Sequence, residues 1–163
     1  MTQFALTELV NSPMADVTSA ALGASSGAKF VQADIGKPVK LGTADSNYVV
    51  CSAGDEIEGF VSSVEIGTVN DGFSFGGVVK NKRKLCKVDA AQSSTIGLGS
   101  YVVAGASAAL GTADAYPKVK SGVATNMSGT PPVLGTPVRH LWRVVRIVSG
   151  TGVAGDLVLI ERV

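Results

Sequence analysis

A chain of 163 residues with 45% hydrophobic residues is long enough to bury the core of one ordinary domain. Aromatics at 6% and 20 glycines disfavour long amphipathic helices and predict short strands joined by many turns. A net charge of +1 argues against a nucleic-acid binder, and no apolar run approaches the length of a membrane-spanning helix.

Residues 1–28 read differently from the rest. Phe4, Leu6, Leu9 and Val10 are apolar anchors, followed by Asn11-Ser12-Pro13 and a run of Ala, Ser and Gly that buries little by itself. The expectation is an extended N-terminal arm over 1–28, with a single β-domain over 29–163; a first barrel strand followed by a linker reads the arm segment equally well. Within it, Gly23-Ala24-Ser25-Ser26-Gly27 matches the spacing of a nucleophile elbow. That motif needs a strand before it and a helix after it, and here Lys29–Gln32 reads as a strand, so linker is the reading.

Short strands are predicted next: Lys29–Gln32, Pro38–Leu41, Asn47–Ser52 and Glu56–Val64. Asp34-Gly36 and Gly54-Asp55 supply turns, and Pro38 suits the start of a strand because it has no N–H to donate. Asn70-Asp71-Gly72 is a further turn. Phe73–Lys80 and Arg83–Val88 flank Asn81-Lys82, which predicts a hairpin. Tyr101–Ala104 and Pro117–Ser121 follow as strands. Residues 121–137, rich in Gly, Thr, Ser and Pro, predict a long surface loop. His140–Ser149 and Asp156–Val163 are the clearest strands, joined through Ser149-Gly150-Thr151-Gly152 and Gly155. Strict alternation puts Arg143 with Leu141, Val145 and Ile147, and Arg146 with Trp142 and Val144. The fold class is all-β: a small barrel-like or sandwich domain of short antiparallel strands. No fixed-period repeat is visible.

Charge is unevenly spread. Residues 1–75 carry three basic against nine acidic side chains, and residues 76–163 carry 11 against four. Asp55, Glu56 and Glu58 form the acidic cluster; Lys80, Lys82, Arg83 and Lys84, with Lys87, form the basic run. Either strands of opposite sign pair within one sheet, or complementary faces meet between copies or against a larger surface. Catalysis by the acidic cluster would need carboxylates held in distinct environments in a cleft, whereas Glu56 and Glu58 alternate onto one strand face. His140 is the only histidine, and with Cys51 and Cys86 it lacks any metal-ligand spacing. The two cysteines make no disulfide framework and read as small buried hydrophobes. Asn126-Met127-Ser128 fits a glycosylation pattern but no secretory signal precedes it. No phosphate-cradling loop is present. No enzyme activity, metal or cofactor is expected.

The stretch Ala33–Leu41, ADIGKPVKL, followed by Gly54–Glu65, GDEIEGFVSSVE, resembles the N-terminal half of the small decoration, or cement, proteins of tailed-phage heads. A low-charge Gly/Ala-rich middle and a terminal strand pair are also similar, over about residues 28–163. The resemblance implies a structural protein, made in the host cytoplasm, that sits on the outer capsid surface and stabilises the head against internal DNA pressure. It implies the major capsid protein as partner and self-association, often as a trimer. The interface candidates are then Phe4, Leu6, Leu9 and Val10 of the arm with Asp55, Glu56, Glu58, Lys80, Lys82, Arg83 and Lys84. The alternatives are a tail-tube or head–tail connector subunit, or a β-barrel module taking nucleic acid or glycan on the Lys80–Lys87 run.

Overall fold

The computed structural model describes residues 17–23, 29–42, 47–65, 74–81, 83–122 and 140–163, with the backbone of 127–128 and 133–134. The chain is all-β, as its composition predicts, but it closes into two five-stranded barrels rather than one. The first contains β1 (Val17–Leu22), β2 (Pro38–Leu41), β3 (Tyr48–Val50), β4 (Gly59–Val64) and β5 (Ser74–Val79). The second contains β6 (Lys84–Val88), β7 (Tyr101–Ala104), β8 (Lys118–Ser121), β11 (Trp142–Ile147) and β12 (Leu157–Arg162). Between β8 and β11, β9 (Met127–Ser128) and β10 (Val133–Leu134) pair as a two-stranded ribbon inside the expected loop.

Of the two readings of residues 1–28, an arm or a first barrel strand with a linker, Val17–Leu22 follows the second: it is a barrel strand paired with β5 from Val17↔Val79 to Leu22↔Ser74. Two expectations are corrected. Lys29–Gln32 is not a strand: a 3-10 turn spans Gln32–Asp34, with Phe30 fully buried beside it. The hairpin around Asn81-Lys82 does not form either. β5 pairs with β1 and β4, β6 pairs with β12 and β8, and the link between β5 and β6 joins the two barrels. Turn-forming residues mark a change of direction, which a hairpin and a linker share.

The two barrels repeat one another. In the first, the ring runs β1-β3-β2-β4-β5; in the second, it runs β6-β8-β7-β11-β12. Each ring has one parallel contact, at Leu22↔Tyr48 and at Val88↔Val119. Each has one irregularity in the same place, between Val61 and Ser63 opposite β5 and between Val144 and Arg146 opposite β12. Six main-chain hydrogen bonds outside the ladders also recur. Gly36 N–H donates to Val61 O as Gly99 donates to Val144, both at 2.8 Å. Val61 N–H returns to Lys37 O and Val144 to Ser100 O. Gly42 to Asn47 matches Gly105 to Lys118, Gly23 to Tyr48 matches Asp89 to Val119, Cys51 to Pro38 matches Gly122 to Tyr101, and Glu65 to Phe75 matches Val148 to Leu157. Gly36 and Gly99 share a positive φ, 94° and 78°, that suits glycine at the turn entering β2 and β7.

The bulge decides which side chains of β11 enter the core. Strict alternation from Trp142 and Val144 would send Arg146 inward. The extra residue at Val145 turns Arg146 out to solvent and brings Ile147 against the core.

Two hydrophobic clusters result. Leu22, Phe30, Val39, Tyr48, Val61, Val64 and Val78 fill the first barrel. The second cluster fills the other barrel around Val88, Val102, Val119, Trp142, Val144, Val158 and Ile160, and also takes in Cys51, Ile57, Phe60 and Val79 from the first. The barrels are therefore fused through shared core. Phe60 and Trp142 meet edge to face with ring centroids 5.2 Å apart, and Trp142 Nε1 donates to Ile57 O at 2.8 Å.

Candidate interaction surface

The segments that carry the phage resemblance lie at the seam between the barrels. The β7–β8 connection reaches over the first barrel there. Its Leu110 packs on the first core, Gly111 N–H donates to Asp34, and Ala108 and Ala109 carbonyls accept from Lys37. Below it, Gly54 N–H donates to Ala104 O at 2.8 Å and Ala104 N–H to Asp55 O at 2.9 Å. ADIGKPVKL and GDEIEGFV thus hold the two halves together.

The acidic cluster and the basic run find partners within the chain. Asp55 pairs with Lys40 at 2.7 Å and accepts from Ser52 N–H at 2.6 Å. Glu58 accepts from the Tyr48 hydroxyl at 2.7 Å, from Leu41 N–H at 3.1 Å and from Lys80 at 3.4 Å, while the Lys80 ammonium also lies over the Tyr48 ring. Burial pushes the Glu58 carboxyl up, and the bonds from Tyr48, Leu41 and Lys80 together outweigh it, so its pKa falls below the ordinary value. Glu56 accepts from His140 N–H across the seam. Arg83 pairs with Glu161 at 2.6 Å, and Lys84 lies over the Phe60 ring at 5.7 Å. Of the charged interface candidates, only Lys82 lies outside the described residues, as do all four arm residues, Phe4, Leu6, Leu9 and Val10. Opposite signs pair within the fold at Asp55, Glu58, Lys80 and Arg83, whereas Glu56 takes a main-chain amide and Lys84 an aromatic ring.

Three lysines that the run of charges does not single out as a group come together instead. β6 and β8 run parallel with Lys87 opposite Lys118, and Lys120 follows on the same outward face, Val119 between them being buried. Lys118 reaches Asp114 at 3.7 Å. Lys118 and Lys120 both help to hold the Asp89 carboxyl below its ordinary value, against the opposing effect of burial and after the Ala91 and Ala106 amides. Lys87 and Lys120 have no carboxylate within ion-pair distance among the described residues. At the equivalent positions of the first barrel stand Ala21, Asn47 and Val49, so this positive face belongs to the second barrel alone. The Lys-Val-Lys alternation at 118–120 is the sequence signal for it, but only the parallel pairing places Lys87 beside it. Exposed Tyr116 lies just before β8.

Cys51 and Cys86 form no disulfide and are buried in the shared core. His140 contacts the Arg162 guanidinium through Nδ1. Residues 24–27 of the Gly23–Gly27 match lie outside the described residues. No three His, Cys, Asp or Glu side chains are grouped to hold a metal among the described residues. No family model, curated protein or solved structure matches this chain.

Proposed function

We propose that the chain is a structural virion protein that binds the outer surface of a phage capsid, bridges neighbouring capsid subunits and stabilises the head against internal DNA pressure. The observation that carries this reading is the contrast between a closed, internally compensated fold and one open charged face. Both barrels close, so neither offers a free strand edge for pairing. The acidic and basic clusters are largely satisfied within the chain. Lys87 and Lys120, which make no ion pair among the described residues, stand with Lys118, already near Asp114, on one positive face suited to an acidic protein surface. Like charges directly opposite each other, as Lys87 and Lys118 are, cost stability, and Asp114 offsets that only on the Lys118 side. Many copies on a symmetric shell would add modest individual contacts into firm attachment.

The test is occupancy on purified heads. Lys87→Glu with Lys120→Glu should strip the protein from capsids while its urea midpoint stays within the range of ordinary surface substitutions. Full occupancy by the doubly reversed variant would contradict the assignment of this face.

The same face gives a second reading. Three lysines beside exposed Tyr116 also suit a polyanion, with a ring on which a base or sugar can stack. That reading predicts binding to single-stranded oligonucleotide that weakens steeply with salt.

A further inference from the structure

The repeated barrels have a specific relation across their seam. Superposing the ladders makes Gly59 equivalent to Trp142, Val61 to Val144 and Val78 to Ile160. Lys80 is then the counterpart of Arg162, and Ile57 of His140. Four seam contacts fall on or near this correspondence, while the bonds of Gly54 and Asp55 to Ala104, the counterpart of Leu41, lie away from it. Arg162 Nη1 donates to Lys80 O at 3.1 Å, which joins two equivalent positions. Phe60 meets Trp142, one position from its own counterpart Arg143. Glu56 accepts from His140, again one position from equivalence. Trp142 donates to Ile57, two positions away.

Contacts between a position and its own counterpart arise where a twofold axis passes. They are the mark of an isologous interface, in which the same patch of two like units faces itself; a head-to-tail join brings unlike patches together instead. We infer that residues 17–80 and 84–162 are two copies of one barrel unit joined about a pseudo-twofold axis, so that the chain is a dimer fused through the 81–83 link. The partner that this seam recognises is a second copy of the same unit.

The departures from symmetry have local causes. The β7–β8 connection is eight residues longer than β2–β3, counted between Gly42 and Asn47 and between Gly105 and Lys118. The additional chain supplies Ala108, Leu110 and Gly111, which grip the first barrel. The span from Cys51 to Gly59 lengthens by 12 residues between Gly122 and Trp142 and holds the β9–β10 ribbon. Gly59 cannot carry the bulk of its counterpart Trp142, because even a Cβ would lie 2.7 Å from Val78 Cγ1 and Val79 O. One tryptophan therefore serves both halves of the seam. This inference does not depend on the virion role.

The experiment is to insert a site-specific protease sequence in the 81–83 link of the full-length protein, purify the intact fold and then cut it. If the seam is an interface between like units, the two fragments stay folded and elute together in 1:1 ratio at the size of the uncut chain. Phe60→Ala in the cut protein then weakens their association by about 30-fold or more, the range of a buried aromatic anchor. Circular dichroism of uncut Phe60→Ala protein separates that loss from simple misfolding. Fragments that part or precipitate on cutting, with Phe60 intact, would overturn the inference. So would an association in the folded variant that is indifferent to Phe60.

Discussion

Lys37 lies 3.4 Å from Asp34, and both side chains are sealed from solvent. The ammonium also donates to the Ala108 and Ala109 carbonyls at 2.6 and 2.8 Å. Asp34 accepts from Val31 and Gly111 N–H groups, at 2.9 Å each. A buried charge pair with its remaining hydrogen bonds made is tolerable, whereas either member alone is not. The pair fastens the first barrel to the connection of the second.

Lys37→Met should therefore cost about 3–5 kcal/mol, because it leaves the Asp34 carboxylate without its counter-charge. Lys37→Met with Asp34→Asn should cost less than the two single changes added together. Equilibrium urea unfolding of the three variants measures both. A single-variant loss below about 1 kcal/mol would show that water reaches the pair in solution.

Glycines divide by what surrounds them. A Cβ on Gly76 would lie 2.1 Å from the Ser63 carbonyl oxygen, where the bulged β4 strand crosses β5. Gly76→Ala should cost about 3 kcal/mol, since backbone must move. A Cβ on Gly99 meets nothing within 4 Å, but φ is +78°, so Gly99→Ala should cost only the left-handed strain of about 1 kcal/mol. Thermal melts of the two variants should rank in that order.

Local signals in the sequence were strong where one strand decides its own fate. Pro38–Leu41 and Tyr101–Ala104 are strands over the predicted bounds, and the β11–β12 pair forms as expected. Barrel closure is non-local and left no mark in the pattern. The duplication was hidden because counterparts are 66 residues apart at Leu22 and Val88, 63 at Val39 and Val102, 71 at Tyr48 and Val119, and 83 at Val61 and Val144. No single period fits loops of different length. Residue identity hid it too: Gly59 answers to Trp142 and Phe60 to Arg143, because one barrel contributes a close-packed backbone where the other contributes bulk. For the surface, spacing showed that Glu58 and Lys80 are charged, but only the β4–β5 pairing shows that they neutralise one another.

Acid should weaken the fold in two stages. Burial, then the nearby Arg162 guanidinium, holds the His140 imidazole below its ordinary value of 6.5. The unfolded chain therefore takes up that proton more readily than the folded one, and stability falls as pH drops below about 6.5. The carboxyls of Glu58, Asp89 and Asp156 are held below their ordinary values, so their contribution is present at neutral pH and is lost as pH falls through their lowered values. For Asp156 the cause is the amides of Thr151, Val153 and Gly152 in the β11–β12 turn. His140→Gln should flatten the first stage of a urea-midpoint profile against pH and leave the second. A first stage unchanged by that substitution would assign it elsewhere.

The cysteines should be chemically silent in the native state. Burial, then the negative charge of Asp55, pushes the Cys51 thiol up to about 12, and Cys86 is fully buried. Little Cys51 thiolate exists at mildly alkaline pH, and burial denies reagents access to both sulfurs. Neither thiol should react with a chromogenic disulfide until denaturant is added, when two per chain should react. Rapid native labelling of either would contradict the shared core.

The most direct test of the proposed role is the number of copies of this chain per purified virion, measured by quantitative mass spectrometry against the major capsid protein. A decoration protein predicts a number comparable to that of the capsid protein. A handful of copies, or none, would contradict the decoration role.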